Sequence, residues 1–194
     1  MEVCSQTMGQ PATKASYAEY LALEADSEVR LEFVDGLVYA RAGGTPEHAR
    51  LAMAIGSELR AALRGKGCAV YSSDLKLRID ATHRSTYADV AVVCGVERHA
   101  DIDPNAVTNP TIIVEVLSDS TEAADRGDKW RHYQRLPSLR EYVLISQGDP
   151  YVEVFRREGD EWILRTSVAG GTLELPSQGV SIAVDAIYAD PRSA

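Results

Sequence analysis

Three stretches of this chain are apolar almost without interruption: Tyr87-Ala88-Asp89-Val90-Ala91-Val92-Val93, Thr111-Ile112-Ile113-Val114-Glu115-Val116-Leu117 and Tyr142-Val143-Leu144-Ile145. Each has the length of a strand, and none alternates polar with apolar. A strand without a wet face is covered on both faces. That condition calls for a layered α/β domain. Two of the runs carry a carboxylate, Asp89 and Glu115. Aspartate is a poor strand former, and a buried carboxylate must be paired, protonated or bound to a metal. A single acid in a strand can lie at a solvated end or in a salt bridge. Two acids on neighbouring strands would converge on one point, and hard cations such as Mg2+ or Mn2+ prefer all-oxygen shells of this kind. If the two acids repel each other when no metal is bound, Asp89→Asn is expected to melt higher than the parent.

The rest of the chain supplies the covering layers. Residues 1 to about 15 have no periodicity and contain Gly9 and Pro11, so they read as a flexible tail. Residues 16–190 read as one domain, which suits a chain of 194 residues. Ser16 with Glu19 is a capping-box pair opening a short helix. Arg30–Val34 and Leu37–Ala40 flank Asp35-Gly36, a hairpin signal. Thr45 and Pro46 start a longer helix with Leu51, Ile55, Leu59 and Leu63 on one face, stopped at Gly65. Leu75, Leu77 and Ile79 alternate with Lys76 and Arg78, as in a strand with one wet face. Caps within Ser118-Asp119-Ser120-Thr121 open a polar helix that runs to about Arg135 and ends at Pro137. Tyr151 to Val184 reads as short strands with turns at Glu158-Gly159-Asp160 and Gly170-Gly171. The expected fold is α/β, a mixed sheet flanked by helices, with an N-terminal helix and hairpin and a β-rich C-terminal part.

Charge and cysteine content narrow the function classes. A formal net charge of −9 argues against a protein that holds nucleic acid by bulk electrostatics. Carboxylates gathered for a metal would add to that negative count, and the metal reverses the sign locally. Cys4, Cys68 and Cys94 are far apart, odd in number and in no CxxC pair, which suits reduced thiols in the cytoplasm. No apolar run approaches the roughly 20 residues that cross a bilayer, and the first residues do not read as a secretory signal. A cytoplasmic protein without a membrane partner is expected.

Asp125, Lys129 and Tyr133 are spaced by four on the polar helix and share a stripe. A helix returning from the Glu115 strand could bring Lys129 to the carboxylates, where it would orient an attacking water and stabilise charge on a phosphate. Taken alone, Asp125 and Lys129 also read as an exposed ion pair. Arg126, Lys129, Arg131, Arg135 and Arg140 form the densest basic region. It is either a phosphate-facing stripe or a helix with Asp125 and Asp128 as its own partners. Ser72, Ser73 and Ser118 lack a Ser-His-Asp context.

An acid, then Glu-x-Val, then a lysine resembles the PD-(D/E)xK nuclease superfamily, and more closely the Uma family of putative restriction endonucleases. The resemblance runs from about Ser16 to Tyr188. Arg30-Leu31-Glu32-Phe33-Val34-Asp35-Gly36 resembles the family's early Asp-Gly signature, and His48 stands where the family often has histidine. Val114-Glu115-Val116-Leu117-Ser118 and Asp125-x-x-x-Lys129-x-x-x-Tyr133 match two further blocks. The resemblance implies Mg2+ or Mn2+ held by Asp89, Glu115 and the Val116 carbonyl, with Lys129 as the catalytic lysine. The superfamily places that lysine two residues after the glutamate, where this chain has Leu117, so here it would have moved to the helix. Glu32 resembles an extra acid that some branches contribute; read from its own surroundings it could equally decorate the hairpin. His48, Asp125 and Tyr133 would support the site. The chain departs from the family pattern at Ala88, at Leu37-Val38 and in Glu141-Tyr142-Val143-Leu144-Ile145-Ser146. The implied activity is hydrolysis of DNA phosphodiester bonds by a homodimer. A phosphoesterase acting on RNA or nucleotides, or an inactive nuclease-fold binding module, are the alternatives.

Overall fold

The computed structural model describes residues 13–190 other than 42 and 120, together with Arg192. The expected flexible tail falls largely on residues 1–12, outside the described residues, as does the candidate cap Ser120. Of that segment, Thr13–Lys14 form a short strand, β1.

Ser16 closes the anticipated capping box with Glu19 and starts α1, Tyr17–Ala25. Strands β2 (Leu31–Val34) and β3 (Leu37–Ala40) pair across Asp35-Gly36. Both turn residues have positive φ, 46° and 85°, as a two-residue hairpin of this twist requires. Thr45 accepts a hydrogen bond from the His48 amide and opens α2, Pro46–Ala62, which buries Leu51, Ile55 and Leu59. There follow β4 (Cys68–Ser72), β5 (Lys76–Ile79), β6 (Arg84–Tyr87), β7 (Val90–Cys94), β8 (His99–Ala100), β9 (Asp103–Val107) and β10 (Ile112–Leu117). A π-helical turn, Ala124–Lys129, runs into α3, Trp130–Tyr133. The chain ends with β11 (Glu141–Ser146), β12 (Tyr151–Glu158), β13 (Glu161–Val168), β14 (Thr172–Leu175), β15 (Val180–Ala183) and α4 (Val184–Tyr188).

The strands form two mixed sheets and a hairpin rather than one mixed sheet. The central sheet has the order β13-β12-β11-β10-β7-β4, and the second has the order β1-β3-β2-β6-β5-β9-β8. On one face of the central sheet, Ile112, Val114 and Val116 pack with Leu51, Ile55 and Leu59 of α2 and with β14, β15 and α4. On the other face, Ile113 and Leu117 pack with Tyr133, Leu136, Leu139 and the second sheet's Leu77 and Val107. The central strands are thus covered on both faces, as their unbroken apolar runs demand.

Four expectations need correction. The run Tyr87–Val93 is not one strand: Tyr87 ends β6 in the second sheet, Val90 begins β7 in the central sheet, and Ala88-Asp89 is the crossover between them. A continuous apolar run does not show where a chain changes sheets. Lys76 and Arg78 do not face water; both are buried beneath α1. Lys76 is ion-paired with Glu24 and with Asp103, and Arg78 lies over the Tyr17 ring, 4.0 Å from its centroid. Lys76 has its partners far away in sequence, and Arg78 pairs with Asp80 two positions on; these pairs offset the cost of burying the two charges. Cys68 and Cys94 do not stay as separate thiols: they face each other across β4 and β7 and form a disulfide. Strand pairing brings together positions that lie 26 residues apart in the sequence. The polar helix after Glu115 is π-helical over six residues rather than α-helical throughout. Among the described residues no helix is long and apolar enough to cross a membrane.

Candidate active site

The site lies where the two sheets and the π-helical turn meet. In the β7–β10 ladder Val90 opposes Val114 in antiparallel register. One step further, the crossover residue Asp89 reaches the level of Glu115. Asp89 closes the ladder with its side chain, accepting the Val116 amide N–H at Oδ2, 2.8 Å. Glu115 lies on the strand face that carries Ile113 and Leu117, towards α3.

Each acid has its own partners. Asp89, 4% exposed, faces His48 Nε2 at 2.9 Å through Oδ2 and accepts from Arg41 Nη2 at 2.9 Å through Oδ1. Burial pushes the Asp89 carboxyl up, but His48, Lys129 and the Val116 amide together hold it below the usual range. Glu115, 1% exposed, accepts from Lys129 Nζ at 3.1 Å and from the Tyr133 hydroxyl at 2.8 Å, both at Oε1. Here burial wins. Together with the charges of Asp125 and Asp89 it pushes the Glu115 carboxyl up to about 8, against the pull of Lys129 and Arg41. Lys129 also lies 2.9 Å from Asp125 Oδ1. Burial disfavours its charge, but Glu115 above all holds the ammonium protonated, with its pKa well above the ordinary lysine value.

Of the stripe, Lys129 and Tyr133 therefore meet on Glu115, and Asp125 reaches it through Lys129, with the π-helical turn spanning Asp125 to Lys129. In an α-helix residues four apart drift steadily around the axis. The wider i to i+5 turn takes up that drift. Elsewhere in the basic region Arg126 pairs with Glu122 and, across to β12, with Glu153, while Arg131 pairs with Asp128. For Arg126 and Arg131 these pairs favour partners within the protein over a free phosphate-facing stripe.

Glu32 does not merely decorate the hairpin. It is buried, 3.6 Å from the Arg84 guanidinium, and its charge is felt at Lys129 and Tyr133. Glu32 Oε2 has no hydrogen-bond partner among the described residues. Val116 reaches the site through its amide. Sequence reasoning missed Arg41 and Arg84. Arg84, nearly sealed from solvent, bridges Glu32 and Asp128 Oδ2, the latter at 2.6 Å. An arginine opening the β-type run Arg84-Ser85-Thr86-Tyr87 was the available signal. Arg41 directly follows the hairpin and had no sequence signature.

Among the described residues no three His, Cys, Asp or Glu side chains stand together as a ready cation cage. The donor chemistry nonetheless fits a hard divalent cation. Asp89 and Glu115 offer buried carboxylate oxygens from adjacent ladder positions, and the charge of Asp89 is felt at Glu115.

The description of the Uma2 family, putative restriction endonuclease, matches residues 17–185. The Synechocystis protein slr1290 is 36% identical over 179 residues, which cover 92% of this chain and 93% of that one. A second Synechocystis protein, sll1609, is 33% identical over 158 residues, covering 81% of this chain and 89% of its own. A crystal structure of a putative nuclease belonging to DUF820, from Anabaena variabilis, matches with a TM-score of 0.73 at 14% identity, covering 90% of this chain and 97% of that one. At that identity the likeness establishes the fold, which is nuclease-like. With the family match spanning nearly the whole described chain, this protein belongs to the Uma2 family of putative restriction endonucleases.

Proposed function

We propose that the protein is a metal-dependent endonuclease that hydrolyses DNA phosphodiester bonds at a centre built from Asp89, Glu115 and Lys129. One observation carries this reading. A sheet crossover, a central strand and a π-helical turn bring two buried carboxylates and a partly buried ammonium together, with Lys129 Nζ 3.1 Å from Glu115.

Asp89 and Glu115, with the Val116 carbonyl, are the residues that would hold Mg2+ or Mn2+. Such a cation, when bound, acts as a Lewis acid on the phosphate and lowers the pKa of a coordinated water. The chain's own residues set the rest. The Val116 amide and His48 fix Asp89 in orientation through Oδ2. The Tyr133 hydroxyl fixes Glu115. Lys129 stays protonated, so its role is that of a fixed positive charge and hydrogen-bond donor towards a phosphate oxygen or the attacking water, not of a base. Asp125 and Glu115 anchor that ammonium from two sides. Glu32 and Arg84 pair with each other, and the charges of both are felt at Tyr133. Cutting both strands of a duplex calls for two centres, so the reading includes a homodimer.

A second reading, a catalytically silent nuclease-fold binding module, is favoured by one observation: both acids already have cationic partners of their own. Incubation of the purified protein with supercoiled plasmid and Mn2+ separates the two. Nicking or linearisation that disappears in Glu115→Ala supports the endonuclease. No cleavage of duplex, single-stranded DNA or RNA under any divalent ion supports the module, and a preference for ribonucleotides redirects the substrate to RNA.

A further inference from the structure

The two oxygens of Asp89 differ in what holds them. Oδ2 is engaged twice, by the Val116 amide at 2.8 Å and by His48 Nε2 at 2.9 Å. It cannot turn away without opening the end of the β7–β10 ladder. Oδ1 faces Arg41, whose Nη2 lies 2.9 Å away. Among the described residues that is the ion pair made to Oδ1.

Arg41 is built differently from the other groups at the site. Its backbone amide is tied to the Arg30 carbonyl at 2.9 Å, which fixes where the side chain starts. The guanidinium has one further bond, from Nη1 to the Ser73 carbonyl at 3.3 Å, and lies 5.9 Å from the centroid of the Tyr87 ring. It is 19% exposed, whereas Asp89 is 4% exposed. Besides the ion pair, the arginine is held by one long neutral bond, the Tyr87 ring and the charge of Glu115, and it alone of the pair reaches solvent. An arginine side chain is long and flexible, and a freed guanidinium suits a phosphate in bidentate fashion.

We propose that Arg41 is a displaceable stand-in for the cation at Asp89: it neutralises Oδ1 until a divalent ion takes that oxygen, and it is then released to hold a backbone phosphate of the nucleic acid. The inference rests on the metal reading above and adds to it an internal competitor that lowers metal affinity until substrate is present.

The test uses the full chain and Mn2+ alone, titrated calorimetrically into the wild type, Arg41→Gln, Arg41→Lys and Asp89→Asn, each first checked for a cooperative melt. Arg41→Gln is expected to bind Mn2+ on the order of tenfold tighter than the wild type, because a competing cation has been removed. Arg41→Lys is expected to fall between them, and it gives the same ordering if the glutamine variant does not fold. In parallel, binding of a short fluorescent DNA duplex in Ca2+ is followed by anisotropy at several salt concentrations. Loss of one phosphate contact reduces the salt slope by about one in Arg41→Gln. Equal or weaker Mn2+ affinity in the Arg41 variants overturns the stand-in role. Tighter Mn2+ binding with an unchanged salt slope overturns the transfer to phosphate. Absence of Mn2+ binding in all four proteins, or Asp89→Asn binding as the wild type does, overturns the metal site itself and this inference with it.

Discussion

Replacing Glu115 with glutamine keeps the shape of the side chain and removes its titration. In the parent, burial with Asp125 and Asp89 nearby raises this carboxyl from 4.5 to about 8. Between those values the folded protein binds more protons than the unfolded chain, so its stability falls as the pH rises. The contribution of the protonated Glu115 is fully present below the unfolded value and is lost as the pH passes through about 8. Each pH unit in that window costs the parent about 1.4 kcal/mol relative to the variant, and the whole window costs on the order of 5 kcal/mol. For a domain of this size about 1 kcal/mol moves the midpoint by about 2–4 °C, so the variant should gain roughly 10 °C or more on the parent. The assay is thermal melting of both proteins by circular dichroism at half-unit steps from about pH 5 to pH 9, with a chelator present. Parallel curves across that range would refute the reasoning, since they would mean that Glu115 titrates alike in the folded and unfolded chains. Repeating the series in excess Mn2+ should flatten the difference, because a bound cation keeps the carboxylate ionised at lower pH.

Asp89 behaves in the opposite way, which reverses the expectation drawn from acid repulsion alone. Its carboxyl is held low by His48, Lys129 and the Val116 amide despite burial, so Asp89→Asn should lower stability at neutral pH by about 2 kcal/mol. The loss should fade as the pH falls through the depressed value, which melting in acid will show. At Gly44 a Cβ would stand 2.9 Å from His48 Nδ1 and 3.0 Å from its Cγ. Gly44→Ala is therefore expected to push the ring off Asp89 and to reduce plasmid cleavage about ten- to a hundredfold while the fold is retained, measured as initial rates beside a melting curve. Reducing the Cys68–Cys94 bridge should cost about 3–4 kcal/mol for a loop of this length, read as a lower midpoint in dithiothreitol that Cys68→Ser does not show. Tyr133→Phe removes one of the two donors to Glu115 Oε1 and should destabilise by about 1–2 kcal/mol at alkaline pH, with a smaller effect where Glu115 is protonated.

What the sequence made legible was local. The Ser16 capping box, the Asp35-Gly36 turn and the Thr45 cap are each written within a few neighbouring residues, and each forms as read. The unbroken apolar character of Ile112–Leu117 announced cover on both faces, and it made Glu115 conspicuous. What was not legible depends on distant partners. Lys76 looked wet because Glu24 and Asp103 lie 52 and 27 positions away. Asp89 looked like a mid-strand residue because nothing in Tyr87–Val93 marks the passage between sheets. Arg41 carries no local pattern and Arg84 only its place at the head of a β-type run; their meaning comes from the acids that the fold brings to them. The cysteine pair was hidden for the same reason, since its partners meet only once β4 and β7 are in register.

The π-helical turn between Ala124 and Lys129 has a further consequence. Such a turn arises where a helix contains one residue more than regular winding accommodates. Gly127 lies inside it, and a Cβ there would meet nothing within 4 Å. Deleting Gly127 should let the segment wind as a regular helix, with better hydrogen bonding, while turning Asp125 away from Lys129 and Tyr133. In this segment regularity and chemistry pull against each other, and one surplus residue marks where the protein settled the conflict in favour of chemistry.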